Sequence, residues 1–352
     1  MNTVGADTVV PNMPTVAVVI PVYNGGESFC RCLASIAQSQ TQPDELIVVA
    51  DGDSDESWQV AQAFGAQVIR LPRNGGPAKA RNAGAQAARS DILFFVDADV
   101  TLHADTITQV RQQFLRSPDL AALIGSYDSE PGASNFLSQY KNLFHHYTHQ
   151  VSSEMASTFW GACGAVRRSV FNAIQGFDER YRKACIEDIE LGYRLRQQGY
   201  AIRLCKDIQV KHLKHWQVYS LLRAEIFYRA LPWSRLLLQN QQFKADLNLD
   251  YASRCSVVLV YLLVSSFIVS VWQPHWLFLS AGLVLGLVLL NRRLYRFFIR
   301  QRGWWFTLQV IPWHWFYFFY GGAAFAYSAA IHHFQRSRKL IFSSANELRQ
   351  SS

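Results

Sequence analysis

The sequence predicts an α/β domain whose mostly parallel sheet is flanked by helices, followed by interfacial amphipathic helices and C-terminal transmembrane helices. Three observations carry that expectation. Four short strand-like runs alternate with helical patterns over the first hundred residues, the rhythm of βαβ units. The first, second and fourth runs are apolar throughout, so the sheet needs cover on both faces. Beyond residue 251, long uncharged stretches are bracketed by arginines, as membrane spans are.

In chain order, residues 16–20 form the first strand, closed by Pro21, and residues 27–39 a helix. Residues 46–50 are the second strand, 54–64 a helix, and 67–70 the third strand. Residues 77–88 make an Ala-rich helix with Pro77 in its first turn, where the missing N–H costs nothing. The fourth strand, 92–96, ends abruptly in Asp97-Ala98-Asp99. Residues 120–215 are less regular. Gly161 and Gly164 mark a turn, 186–198 a helix with acids at its start, and a short strand pair ends near His212. Residues 216–243 mix Trp216, Tyr219, Leu222, Ile226, Leu231 and Trp233 with Arg, which suits a lipid–water boundary.

The formal charge of +8 is unevenly placed. Residues 1–250 carry 24 basic and 25 acidic side chains, residues 251–352 ten basic and one acidic. The basic excess therefore sits in the most apolar part of the chain. That placement excludes a nucleic-acid surface, which is wet and polar, and predicts a membrane anchor. Three spans are expected at 256–272, 276–290 and 304–331, the last kinked at Pro312. Five Arg within 291–302 put that loop on the cytoplasmic side. An odd number of spans then opposes the basic tail (Arg336, Arg338, Lys339, Arg349), and a re-entrant pair over 304–331 is the alternative. The expected organisation is a cytosolic catalytic domain over 1–215, interfacial helices over 216–250 and a membrane domain over 251–352. The first fourteen residues lack the basic start and apolar core of a signal peptide. Six cysteines without metal-ligand spacing are expected as reduced thiols. His145 and His149 share a helix face, expected to be partly exposed.

The chemistry-bearing residues cluster at strand ends, where open parallel sheets bind ligands. Strand one ends in Pro21-Val22-Tyr23-Asn24, strand two in Asp51-Gly52-Asp53, strand four in Asp97-Ala98-Asp99. Hard carboxylates converging on one cleft suit Mg2+ or Mn2+ completed by phosphate oxygens.

The segments VVIPVYNGG (18–26), ADGDSDES (50–57), GGPAKARNAGA (75–85), FFVDADV (94–100), GACGAVRRSVFNAIQGFDE (161–179) and EDIELGYRLRQQGY (187–200) together resemble the family 2 glycosyltransferases. These have the A-type nucleotide-diphosphosugar transferase fold, and the resemblance covers about residues 15–215. It implies a nucleotide pocket lined by Pro21 and Tyr23, with Asp51 on the base and Arg81 near the ribose or diphosphate. It implies Asp97 and Ala98 against the sugar-nucleotide, and a divalent metal held by Asp97 and Asp99, with His212 as a further ligand. From the Glu187-Asp188 pair, Asp188 is implied as general base. Ala50 departs from the family, which often has Asp there, and the Gln-x-x-Arg-Trp signature of its processive synthases is absent. Arg229-Ala230-Leu231-Pro232-Trp233 is the nearest feature.

The resulting expectation is a membrane-bound inverting transferase using a nucleotide-diphosphosugar donor and a hydroxyl of a lipid or lipid-linked acceptor. Its localisation is integral to the membrane, with no nucleic-acid partner. Transfer to a polyisoprenyl phosphate is the alternative, though an ionised phosphate needs no base. A catalytically silent sugar-nucleotide-binding partner is the alternative from another class, supported by Ala50 alone.

Overall fold

Strands β1 (Val16–Val22), β2 (Glu45–Asp51), β3 (Gln67–Leu71) and β4 (Ile92–Val96) form a parallel block ordered β3-β2-β1-β4. Each crossover carries a helix: α1 (Gly26–Ala37), α2 (Ser57–Ala63) or α3 (Pro77–Ala87). Helix α1 buries Phe29, Cys32, Leu33 and Ile36, the i, i+3, i+4, i+7 stripe of a helix covering a sheet. Pro21 is tolerated because β4 pairs with β1 only from Val16 to Val19, leaving its edge without a ladder hydrogen bond to lose. The computed structural model describes residues 13–240 and 251–350, with side chains to residue 335.

After β4 come β5 (Val100–Leu102), α4 (Thr106–Arg116), β6 (Ala122–Tyr127), α5 (Phe136–Val151), β7 (Met155–Ala156), β8 (Cys163–Arg167), α6 (Arg168–Ala173), α7 (Glu187–Gln197) and β9 (Ile202–His212). The sheet continues β4-β8-β6-β9-β5, with β7 also on β9. The β4–β8, β6–β8, β5–β9 and β7–β9 pairings are antiparallel. The sheet is therefore mixed, and the expected parallel arrangement holds for its first four strands. β6 is buried at every position and β8 at all but its last, yet the two pair antiparallel. Burial on both faces reports cover, not direction. The strand pair expected before His212 is one strand, β9, because β7 pairs with its beginning and β5 with its end.

Two units result. The first comprises residues 13–126, Glu154–Arg182 and Glu187–Leu213, and holds the sheet. Its core includes Phe95, packed edge-on against Phe159 at 6.3 Å and Phe177 at 5.2 Å. Burying such a ring contributes about 1.5–3 kcal/mol.

The second comprises Tyr127–Ser153, Lys183–Ile186 and the described residues from Lys214 onward. It contains α5, α8 (Val218–Arg223), a π-helical segment (Ala224–Ala230), α9 (Leu231–Asn240), α10 (Tyr251–Ser270), α11 (Trp276–Leu290) and α12 (Arg292–Gln350). Tyr140 and Leu143 of α5 pack against Leu294, Tyr295, Phe298 and Val310 of α12. Of the two histidines expected on a partly exposed face, His145 is half-buried and His149 is enclosed. His149 is 4% exposed, and its ring lies 4.3 Å from that of His145. The break in α12 falls at Gly303, whose φ of 83° and ψ of 176° only glycine adopts readily. Pro312, where a kink is expected, lies inside the helix, and the non-helical backbone falls at Gly303, just before the expected span. Among the described residues one helix, Tyr251–Ser270, is long and apolar enough to cross a membrane. Trp276–Leu290 passes only together with the helix after it, across a 68° bend. The helices expected at an interface are described as far as residue 240; the expected remainder to 250, the side chains of the basic tail and the first twelve residues lie outside the described residues. None of the six cysteines forms a disulfide.

Candidate active site

The parallel strands deliver their C-terminal residues to one edge of the first unit. Asp51, at the end of β2, is buried, and its carboxylate accepts the N–H groups of Gly75 and Gly76, each at 2.8 Å. Gly76 has φ of 90°, and a Cβ there would meet the Arg182 carbonyl at 2.4 Å. Asp51 therefore shapes the turn that starts α3. Asn24, with φ of 51°, accepts the Ser54 N–H at 2.8 Å and ties the loops after β1 and β2 together. Pro21 is half-buried in β1, whereas Tyr23 is exposed on the loop beyond it.

Arg81 of α3 is the organising cation. Its Nη2 donates to Asp97 Oδ1 at 2.7 Å and its Nη1 to Glu187 Oε1 at 2.9 Å. The end of β4 and the start of α7, far apart in sequence, are thereby clamped. Arg81 and Glu187 are both buried, while the side chain of Asp97 is a third exposed. The guanidinium also lies over Phe177, 5.4 Å from the ring centre, so the aromatic core supports it from below. Asn82 fixes that ring's backbone, donating to the Phe177 carbonyl at 2.9 Å and accepting its N–H at 2.8 Å. Burial alone would lower the Arg81 pKa; Asp97, Glu187 and Asp188 outweigh it and raise it. Burial also raises the Asp97 carboxyl above the ordinary aspartate range, and Asp99 adds to this against the pull of Arg81.

The turn Asp97-Ala98-Asp99 leads into β5, whose Val100 pairs with His212 of β9. That register brings His212 Nε2 to 3.8 Å from Asp99 Oδ2. A carboxylate and an imidazole at this separation fit as two ligands of one divalent ion. The other positions would be left to water and diphosphate oxygens, as is usual where substrate phosphates complete the shell. An imidazole beside the carboxylate tilts the pair toward Mn2+ over Mg2+. Among the described residues no group of three or more His, Cys, Asp or Glu forms a closed cage. Asp97 has one oxygen engaged by Arg81, which sets it apart from the Asp99–His212 pair.

Asp188 stands in the first turn of α7, where the helix dipole favours a carboxylate. Its Oδ2 accepts the Gly161 N–H at 3.1 Å and its Oδ1 the Ile189 N–H at 2.8 Å. Glu187 differs in kind: buried and paired to Arg81, it positions the cation. Gly161 links the two. A Cβ at this position would lie 2.7 Å from Arg81 Cζ and Nη2, so glycine lets the loop pass over the guanidinium. Sequence reasoning placed Gly161 in a turn and assigned it no role; the signal was its place beside Gly164 in the matched series. Asn82, within GGPAKARNAGA, was likewise left without one.

Gly161→Ala should keep its secondary structure, as circular dichroism would report, because the atoms its methyl group meets are the far end of the Arg81 side chain. Its methyl group displaces the Arg81 clamp, and a displacement of about 1 Å costs up to ~100-fold in rate. A kcat within twofold of the parent would show that the clamp has slack.

Comparison with known proteins agrees with this architecture. Residues 17–175 match the family model "Glycosyl transferase family 2", and residues 143–217 match "N-terminal domain of galactosyltransferase". The chain is 32% identical over 117 residues to the glycosyltransferase GlyG of Streptococcus pneumoniae, covering 32% of this chain and 38% of that protein. It is 25% identical over 236 residues to the O-antigen chain rhamnosyltransferase WbaN of Salmonella anatum, covering 63% of this chain and 74% of WbaN. The chain thus spans well under half of GlyG and about three quarters of WbaN. Its fold is similar to that of the mannosyltransferase PcManGT from Pyrobaculum calidifontis, described in complex with GDP-Man and Mn2+. The TM-score there is 0.55 at 15% identity, over 90% of this chain and 88% of that one. With the A-type sheet, its strand-end carboxylates and these matches in agreement, the chain carries a glycosyl transferase family 2 domain.

Proposed function

We propose that the chain is a membrane-bound, inverting glycosyltransferase. It moves a sugar from a nucleotide-diphosphosugar to a hydroxyl of a lipid or lipid-linked acceptor, with its catalytic domain on the cytoplasmic side. The observation that best supports this reading is the Arg81 clamp, which gathers Asp97 and Glu187 into one cleft beside Asp188 and the Asp99–His212 pair. Pro21, Tyr23 and the Asp51-supported turn offer a nucleotide cradle at the same strand edge, and Asp97 with Ala98 faces the donor sugar. Asp99 and His212 would hold a divalent ion, which neutralises charge developing on the departing diphosphate. Asp188 takes the proton from the acceptor hydroxyl, whose oxygen attacks the anomeric carbon opposite the leaving group and inverts it. The need for that base sets the reading above transfer to a polyisoprenyl phosphate. WbaN, an O-antigen chain rhamnosyltransferase, supports a glycan hydroxyl as acceptor. Membrane attachment rests on α10, on the exposed apolar side chains Val258, Leu262, Phe267 and Ile268 along it, and on the arginines of 291–302.

The test offers a panel of labelled nucleotide sugars to membranes containing the protein and extracts the products into organic solvent. One donor should yield a solvent-soluble product, lost with EDTA and restored by Mn2+. Exclusively water-soluble product would overturn the lipid acceptor. Asp99→Asn should weaken metal-dependent donor binding by at least the ~10–100-fold that even outer-shell changes cost. Unchanged metal and donor affinity by calorimetry would remove Asp99 from the metal site.

A further inference from the structure

The stretch Arg292–Arg302 opens α12 and ends at the break at Gly303. Its sequence, RRLYRFFIRQR, divides between two faces. At about 100° per residue, Arg292, Arg293, Arg296 and Arg300 share one arc of about 100°, with Leu294 and Phe298 opposite. The structure keeps that division. Leu294, Tyr295 and Phe298 are buried against Tyr140 and Leu143 of α5, and the Phe297 ring lies 5.2 Å from that of Tyr147. Arg302 turns toward the same cover: its Nε donates to Gln139 Oε1 at 2.9 Å and its Nη2 to the Ser129 carbonyl at 3.2 Å. The other four arginines are exposed. The apolar face is therefore closed off by protein, and what the stretch offers outward is the arginine stripe.

The chain does not neutralise that stripe. Residues 251–335 contain no Asp or Glu, and among the described residues no carboxylate forms an ion pair with any of the four. The side chains outside the described residues comprise four acids (Asp7, Asp246, Asp250, Glu347) and five bases (Lys244, Arg336, Arg338, Lys339, Arg349), so together they bring no net negative charge. The flanks are apolar. α11 meets the stretch across the 68° bend, with Leu285 and Leu289 exposed near its end, and Trp304 and Trp305 stand exposed just beyond Gly303. Tryptophan beside arginine is the composition of headgroup depth. A helix that turns sharply out of an apolar segment runs closer to the membrane plane.

We propose that the stripe Arg292–Arg300 is a docking surface for anionic phospholipid headgroups. Lipid phosphates supply the counter-ions that the chain lacks, with Trp304 and Trp305 beside them. The inference rests on the membrane-bound reading above and adds which lipids that membrane must offer. It goes beyond orientation. A topological arginine needs only to stay on one side, whereas these four are fixed on one arc by a covered reverse face, which preorganises them for binding.

The full chain, purified in detergent, is titrated by calorimetry with phosphatidylglycerol and with phosphatidylcholine in mixed micelles. An arginine near an anionic surface contributes about fivefold in affinity, so phosphatidylglycerol should bind about tenfold or more tightly than phosphatidylcholine. The preference should fade at about 1 M NaCl, where charges are screened beyond ~3 Å. Replacing Arg292, Arg293, Arg296 and Arg300 together by Gln should erase it with an unchanged unfolding midpoint, because all four are exposed. Replacing them by Lys should keep most of it. Neutralising Arg336, Arg338, Lys339 and Arg349 instead should also leave it in place. Equal binding of the two lipids, full preference in the Gln variant, or displacement of the lipid by excess inorganic phosphate would overturn the surface. If the chain, freed of detergent among vesicles, stays in the aqueous phase, membrane attachment fails and this surface with it. If it floats with vesicles of either lipid but shows no preference, only the surface fails. If the preference stands while no nucleotide sugar is consumed, the transferase reading alone fails.

Discussion

Asp188→Asn is expected to cut the rate of sugar transfer by roughly 10²–10⁴-fold, the usual contribution of a positioned general base. Donor affinity should be unchanged. The carboxamide is nearly isosteric, so its oxygen can still accept the Gly161 N–H, but it cannot take a proton from the acceptor hydroxyl. Single-turnover kinetics with saturating donor, beside calorimetry of donor binding, separates the two effects. Full turnover in the variant would end the assignment of Asp188 as base. A loss confined to donor binding would move its role to the diphosphate. Glu187→Gln serves as the contrast, since Glu187 is buried against Arg81 and its change should show first in stability.

The parallel half of the sheet was legible because its strands are short, apolar and separated by helices with clear period and start signals. Helix α3 begins at Pro77, and strand β4 occupies residues 92–96, both as the sequence indicates. Strand direction past β4 was not legible, since a buried strand looks the same in either orientation. The clustering of strand-end acids could be read from order alone, whereas their division of labour could not. Nothing local to Glu187 distinguishes it from Asp188. The distinction arises because Arg81, 106 residues earlier, reaches one and not the other with a hydrogen bond. The burial of His149 depends likewise on which helices meet, which residue period does not encode.

Arg81→Met should be the most damaging single change to the first unit's stability. The thioether side chain can follow the buried path of the arginine stem, but it leaves Glu187, whose side chain is 5% exposed, without its counter-ion. Stranding one partner of a buried pair costs about 3–5 kcal/mol, a large share of a typical folding free energy. Asp97 is a third exposed, so water screens its loss and the penalty falls mainly on Glu187. The double variant Arg81→Met/Glu187→Gln removes the stranded charge and should regain much of that stability in chemical denaturation. Transfer should remain lost in it, because Asp97 no longer has the guanidinium that aims it. Rescue of stability without rescue of activity separates the clamp's two tasks. If the double variant unfolds as readily as Arg81→Met, the cost lies in packing around Phe177 and not in the buried charge. If it recovers activity as well, Asp97 needs no guanidinium, and the clamp serves the fold alone.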